Sequence, residues 1–135
     1  DRHDGFNRNP FEHDESGVHY ARAMAAWSLL PALSGITWDG VEQALAFTPR
    51  PCDDVAAFQT FWSTNTAWGC FSRTPEEALL EVAHGRLPLR SFAPGRNVDG
   101  GRLPAGARLS EPDRLAFPQT YALETGATLR VGLTG

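Results

Sequence analysis

The sequence predicts an α+β chain in which one apolar helix is followed by a mostly antiparallel, β-sandwich-like region. From Ala23 to Leu33 the only polar side chain is Ser28. A helix that is apolar on all sides is typical of a buried position. After Gly35, short runs of apolar and β-branched residues alternate with turn residues at near-regular spacing. This second pattern is typical of an antiparallel sandwich.

The helix is predicted over residues 17–34, after a polar loop at residues 1–16. Ser16 and the acidic residues before it stand where the first N–H groups and the positive end of the helix dipole favour them. Gly35 is suited to the position just beyond the helix, and Pro31 predicts a kink in the last turn. The apolar run is shorter than the roughly 20 residues that a membrane span requires, so no membrane span is predicted.

The predicted strands share apolar residues at alternating positions, bounded by Gly, Pro, Asn or Asp. They are residues 36–38 and 41–47 around Asp39-Gly40, 57–62 and 66–71 around residues 63–65, 77–83 and 86–92 around His84-Gly85, and 115–121 and 127–133 around Gly126. Residues 94–113 are rich in Gly and Pro and predict a long loop. Trp62 and Trp68, which flank the second hairpin, are predicted to lie in the core, as is Trp27 of the helix.

Composition excludes several classes of partner. The net charge is −4, and the twelve basic residues are all Arg without a basic cluster, so nucleic acid is not predicted as a partner. Cys52 and Cys70 form no CxxC pattern, and His13, Glu15 and His19 match no recognised ligand motif. We therefore predict no metal site and no cofactor.

The first turns of the helix carry the candidate binding residues. Glu15, His19 and Arg22 are spaced by four and three residues and therefore share one helix face. This face is ionisable near the helix start and apolar further on, which suits a pocket that opens at the N-terminal end. The alternative is a local ion network that serves stability alone.

The run from Arg8-Asn9-Pro10 through Glu15-Ser16-Gly17-Val18-His19-Tyr20-Ala21-Arg22 to Phe47-Thr48-Pro49 resembles the C-terminal part of bacterial proteins related to glycoside hydrolase family 116. These proteins are described as non-lysosomal glucosylceramidase-like. The resemblance implies an (α/α)6-barrel catalytic domain, with residues 1–35 as a loop and its last helix and residues 36–135 as a C-terminal β-rich region. The sequence departs from the family pattern at His13, Ser16 and Pro31.

The resemblance implies a C-terminal fragment of a hydrolase that acts on glycosidic bonds. The residues that it assigns to substrate binding are Arg8, Asn9, Glu15, His19 and Arg22. No catalytic residue is assigned, because the acidic residues of the loop lie too close together to flank a sugar from both sides. The implied partners are a carbohydrate substrate and an upstream catalytic domain of the same chain, without which we expect no activity. The alternative is a non-catalytic β-sandwich module that binds carbohydrate or another protein.

Overall fold

A computed structural model describes the backbone of residues 12–13, 17–18, 20–50 and 57–134, and the side chains of residues 25–50 and 57–134. Glu12–His13 (β1) pairs with Gly17–Val18 (β2), and Tyr20–Ser34 forms the helix α1. The other strands are Thr37–Asp39 (β3), Ala44–Ala46 (β4), Phe58–Ser63 (β5), Ala67–Arg73 (β6), Glu77–Ala93 (β7), Arg108–Glu111 (β8), Arg114–Glu124 (β9) and Thr128–Gly132 (β10). The described part of the chain is therefore mostly β.

Strands β3 to β10 form one curled sheet that is organised around β7. The first half of β7 pairs with β6 on one side and with β10 on the other. Its second half pairs with β4 and β9 in the same way, and β5, β3 and β8 extend the sheet beyond β6, β4 and β9. All of these pairs are antiparallel except β4 with β7. Because the sheet curls, the inner faces of its two halves enclose the core as in a sandwich.

β7 exchanges its partners at Gly85. This residue has a φ of 90°, which is accessible mainly to glycine, and the backbone of Thr66 occupies the place where a side chain would start. Thr125 fixes the corner, since its Oγ1 accepts a hydrogen bond from the Gly85 N–H at 2.9 Å and donates one to the Gly85 carbonyl at 3.2 Å. The predicted hairpin at His84-Gly85 is wrong, because β7 continues through it as one strand.

The core between the two halves is aromatic at its centre. The rings of Phe47 and Phe71 stack with their centroids 3.9 Å apart. Phe92 packs edge-on against both, at 6.4 Å and 6.3 Å respectively. Most other members of the buried cluster are Leu, Val and Ala side chains from β4, β7, β9 and β10, and the described side chains of α1 contribute no hydrophobic member. The β region therefore builds its own core.

The prediction of an α+β fragment with a buried late barrel helix is wrong. The described apolar side chains of α1 face outward, with Trp27 81% and Leu29 59% exposed. The apolar composition of the helix favours burial, but the strands of the sheet fill the hydrophobic core without it. The β-sandwich-like part of the prediction agrees with the curled sheet.

Most predicted strands are present with shifted ends, and two local predictions need correction. The loop predicted over residues 94–113 contains the short strand β8. The strand predicted over residues 41–47 is confined to β4, because Asp39 Oδ1 accepts the N–H groups of Val41 and Glu42 and holds residues 40–43 as a turn. Gly35 ends α1 as predicted, with a φ of 57° and a 2.8 Å bond to the Pro31 carbonyl. Among the described residues, no helix is both long enough and apolar enough to cross a membrane.

Candidate functional site

The substrate-binding residues predicted from the sequence are not visible as a site. Arg8, Asn9, Glu15 and His19 lie outside the described residues. The backbone of Arg22 belongs to the first turn of α1, but its side chain is not among those described. Whether these residues meet in one pocket therefore stays a prediction.

The structure instead presents a row of three rings on the outer face of β5, β6 and β7, which we call the aromatic row: Phe61, Trp68 and His84. The centroid of Trp68 lies 6.2 Å from that of Phe61 and 6.2 Å from that of His84, with interplanar angles of 38° and 30°. Phe61 is 48% and Trp68 46% exposed, and His84 is also exposed. Three neighbouring rings thus face solvent on a rigid sheet.

A β-bulge places His84 in this row. Trp68 pairs with His84 and the next residue, Gly69, pairs with Val82, so Ala83 is the extra residue on β7. Ala78, Leu80 and Val82 point into the core, and regular alternation would turn residue 84 inward as well. The extra residue reverses the direction of His84 and brings it beside Trp68. Bulges are enriched near functional sites, where they re-aim a side chain in this way.

A shallow groove of about 300 Å³ adjoins the aromatic row. Its floor and walls come from Trp68, the neighbouring residues of β6 and β7, and the chain around Gly126. Glu81 and Thr128 are cross-strand partners on this face, and both are exposed. The Glu81 carboxylate has no hydrogen-bond or ion-pair partner among the described residues, so it remains available to a ligand. Cys70, between Phe61 and Glu81, is a free thiol that accepts a hydrogen bond from Gln59 Nε2 at 3.1 Å.

A core position was predicted for three of the four tryptophans, and it is correct for one of them. Trp62 is buried, as predicted, whereas the core positions predicted for Trp68 and Trp27 are wrong, because both are exposed. The alternation of inward and outward residues along β5 could have distinguished the buried Trp62 from the exposed Trp68. Thr60 and Trp62 point inward, so Phe61 must point outward, and a cross-strand neighbour on the same face is then expected to be exposed too.

Elsewhere on the described surface, four ion pairs join Arg86 to Glu124, Arg102 to Asp99, Arg114 to Glu111 and Arg130 to Glu77. A cavity of about 220 Å³ is bordered by Glu77, Arg102 and Arg130. Arg130 Nη1 lies 2.6 Å from Glu77 Oε2, and Arg102 Nε lies 3.6 Å from Asp99 Oδ2. In the part of the chain that the structure describes, no cluster of three or more His, Cys, Asp or Glu side chains could hold a metal ion.

The groove beside the aromatic row is chemically suited to binding rather than to glycoside cleavage. Cleavage requires two carboxyl groups that face each other across the bond, separated by about 5–9.5 Å. Among the described residues that line this groove, Glu81 is the one carboxylate. Aromatic rings with a few hydrogen-bonding groups beside them are a common arrangement in ligand sites.

Comparison with known proteins adds no assignment. No family model matches the chain, and no curated protein matches it. The resemblance to glycoside hydrolase family 116-related proteins therefore rests on the quoted motifs alone.

Proposed function

We propose that this chain is a non-catalytic carbohydrate-binding region of a carbohydrate-active protein, and that the aromatic row with its groove is the binding surface. The observation that carries the proposal is the bulge at Ala83, which turns His84 outward beside Trp68. A bulge also bends and twists its strand, but regular alternation would have placed residue 84 on the buried face. A surface that receives a flat ligand gains a third ring.

The chemistry of the aromatic row favours a sugar. A pyranose presents apolar C–H groups on its faces and hydroxyl groups around its edge. Exposed aromatic rings such as Trp68 can pack against the C–H faces, because an aromatic side chain offers a large apolar surface. Glu81 and Thr128 lie beside the rings and can accept hydrogen bonds from the hydroxyl groups, the carboxylate more strongly because it is charged.

The hydrolase context is part of the same proposal. The resemblance to glycoside hydrolase family 116-related proteins supports a parent that cleaves glycosidic bonds, with the catalytic carboxylates outside residues 1–135. The exposed apolar surface of α1, which includes Trp27, Leu29 and Leu33, supports a second role in contacting the catalytic domain of the same protein. Arg22, with its predicted partners Glu15 and His19, would belong to the substrate-binding edge of that enzyme.

Affinity electrophoresis tests the carbohydrate role. The purified chain is run through native gels that contain soluble β-glucan, xylan, glucomannan or no polysaccharide. We expect at least one polysaccharide to retard the wild type. Trp68→Ala should remove the retardation and Phe61→Ala should weaken it, since each loses ring surface. Trp27→Ala is the matched control, because it removes an exposed tryptophan from α1 and not from the aromatic row.

The electrophoresis can either support or contradict the proposal. Retardation that is lost in Trp68→Ala and kept in Trp27→Ala supports the proposal. Unaltered mobility of the wild type in every gel, or equal retardation of Trp68→Ala and the wild type, contradicts it. Circular dichroism of each variant checks that the sheet is intact.

A further inference from the structure

A second irregular region of the sheet lies in β9, remote in sequence from the aromatic row. Tyr121 pairs with Leu89 of β7, and Ala116 pairs with Ser91. Between these two pairs, β7 supplies only Arg90, whereas β9 supplies residues 117–120. The extra length of β9 therefore leaves the ladder and bulges outward. Residues 118, 119 and 120 are all exposed, which a regularly paired strand with one buried face does not allow.

A strained residue supports this bulge from the neighbouring turn. Gln43 has a φ of 52°, and it is the one non-glycine residue of the described chain in the left-handed region. Its carbonyl accepts the Arg90 N–H at 2.8 Å, so the β7 backbone holds it in place. Its side-chain Oε1 accepts a 3.0 Å hydrogen bond from the Thr120 hydroxyl. Strain of this kind costs about 1–3 kcal/mol and is concentrated at functional sites.

The bulge borders an open pocket of about 360 Å³, which we call the β9 pocket; it is lined by Gly106 and residues 117–121. Phe117 and Tyr121 form one wall, with their rings stacked at a centroid distance of 4.8 Å and an interplanar angle of 14°. Gln119 and Thr120 supply the polar groups. The volume falls within the range of small-molecule sites, which begins at about 300 Å³.

The lining of the β9 pocket favours a neutral ligand. All of the lining residues are uncharged. The side-chain amide of Gln119 has no hydrogen-bond partner in residues 25–50 and 57–134, and the amide group can both donate and accept. A charged ligand would lose water without gaining a counter-charge, which is unfavourable. A neutral ring that carries hydroxyl groups meets an aromatic wall on one side and an amide and a hydroxyl on the other.

We propose that the β9 pocket binds a single neutral, hydroxyl-bearing ring such as one pyranose unit. This site does not depend on the aromatic row, so the chain would hold two separate ligand sites. The bulge and the Gln43–Thr120 hydrogen bond position the polar groups of the pocket before the ligand arrives, which lowers the entropic cost of binding.

Titration of the ¹⁵N-labelled chain followed by NMR tests this site. The probe is methyl β-D-glucopyranoside, and sodium glucuronate serves as the charged comparison. We expect saturable shifts of the Gln119 side-chain amide and the backbone amides of Thr120 and Tyr121 with the neutral probe. We expect no saturable shift at these positions with glucuronate.

Two variants separate the β9 pocket from the aromatic row. Gln119→Ala removes an exposed side chain, so the fold should persist, and we expect binding at the pocket to weaken about tenfold. Trp68→Ala should leave the pocket titration unchanged, even if it abolishes polysaccharide binding elsewhere. The proposal is overturned if residues 119–121 show no saturable shift in the wild type, or if Gln119→Ala titrates as the wild type does. Neither result would contradict binding at the aromatic row. That binding is followed separately through the indole N–H signal of Trp68.

Discussion

Phe61 and Phe71 of the β5–β6 hairpin give a sharp test of the sheet, because Phe71 faces inward and Phe61 faces outward. Phe71 is fully buried, while Phe61 is about half exposed. We predict that Phe71→Ala strongly lowers the free energy of unfolding and that Phe61→Ala lowers it by less than about 1 kcal/mol. The two variants delete the same atoms, so the difference reports the direction of each side chain.

The expected loss for Phe71 follows from its contacts. Burying a phenylalanine side chain contributes about 1.5–3 kcal/mol. Its ring also stacks on Phe47 at 3.9 Å and packs against Phe92 and Phe58 at 6.3 Å and 6.4 Å. Such ring pairs add about 0.5–1.5 kcal/mol each. The sum of these contributions is about 3–7.5 kcal/mol. Its lower part agrees with the roughly 3–5 kcal/mol observed when buried phenylalanines are truncated, which is a large part of the total stability of a small domain.

Urea denaturation followed by tryptophan fluorescence measures both variants. With a slope of about 2 kcal/mol per molar urea, a loss of about 4 kcal/mol lowers the midpoint by about 2 M. The midpoint of Phe61→Ala should fall by less than about 0.5 M. A loss below about 1.5 kcal/mol for Phe71→Ala at an unchanged slope, or equal losses for the two variants, would refute the assignment of the inner face.

Three further predictions address other parts of the chain. Gly69→Ala should lower the free energy of unfolding by about 2 kcal/mol or more, because its Cβ would overlap the facing backbone of β7, whereas Gly40→Ala, where the nearest atom is 3.4 Å away, should change it by less than about 0.5 kcal/mol in the same urea assay. Trp62→Phe should change the free energy of unfolding by less than about 1 kcal/mol, because the lost ring volume is offset by removal of a buried Nε1 without a hydrogen-bond partner. A decrease of about 3 kcal/mol in the free energy of unfolding, measured by calorimetry, would contradict this. The isolated chain should self-associate in sedimentation velocity, and Leu29→Glu combined with Leu33→Glu should reduce that association without lowering the melting temperature, since these side chains are exposed.

The runs on either side of residues 63–65 were enough to predict the hairpin of β5 and β6, but they did not separate the buried Trp62 from the exposed Trp68. The pattern works there because one face of these strands is buried and the side-chain period is two. It failed at His84-Gly85, where a glycine of positive φ was interpreted as a turn. Gly85 instead marks the point at which β7 changes partners, and that depends on Thr125, which lies 40 residues further along the chain.

The candidate sites depend on features that a single strand does not encode. The bulge at Ala83 exists only relative to the register of β6, so the exposure of His84 could not be derived from β7 alone. The bulge in β9 likewise depends on the length of β7 that faces it. The apolar run of α1 is a different case. It indicates that the helix surface favours contact with something apolar, but composition carries no information about which partner supplies that contact.

The continuity of β7 has a consequence for how the protein opens. A chain of two separate sheets could lose one while the other persisted. Here the first half of β7 forms backbone hydrogen bonds with β6 and β10, and its second half forms them with β4 and β9. Detaching either half releases one end of a strand that anchors the other, so the two halves should unfold in a single cooperative step. Amide hydrogens on both sides of Gly85 should then exchange with solvent at similar, slow rates governed by global unfolding.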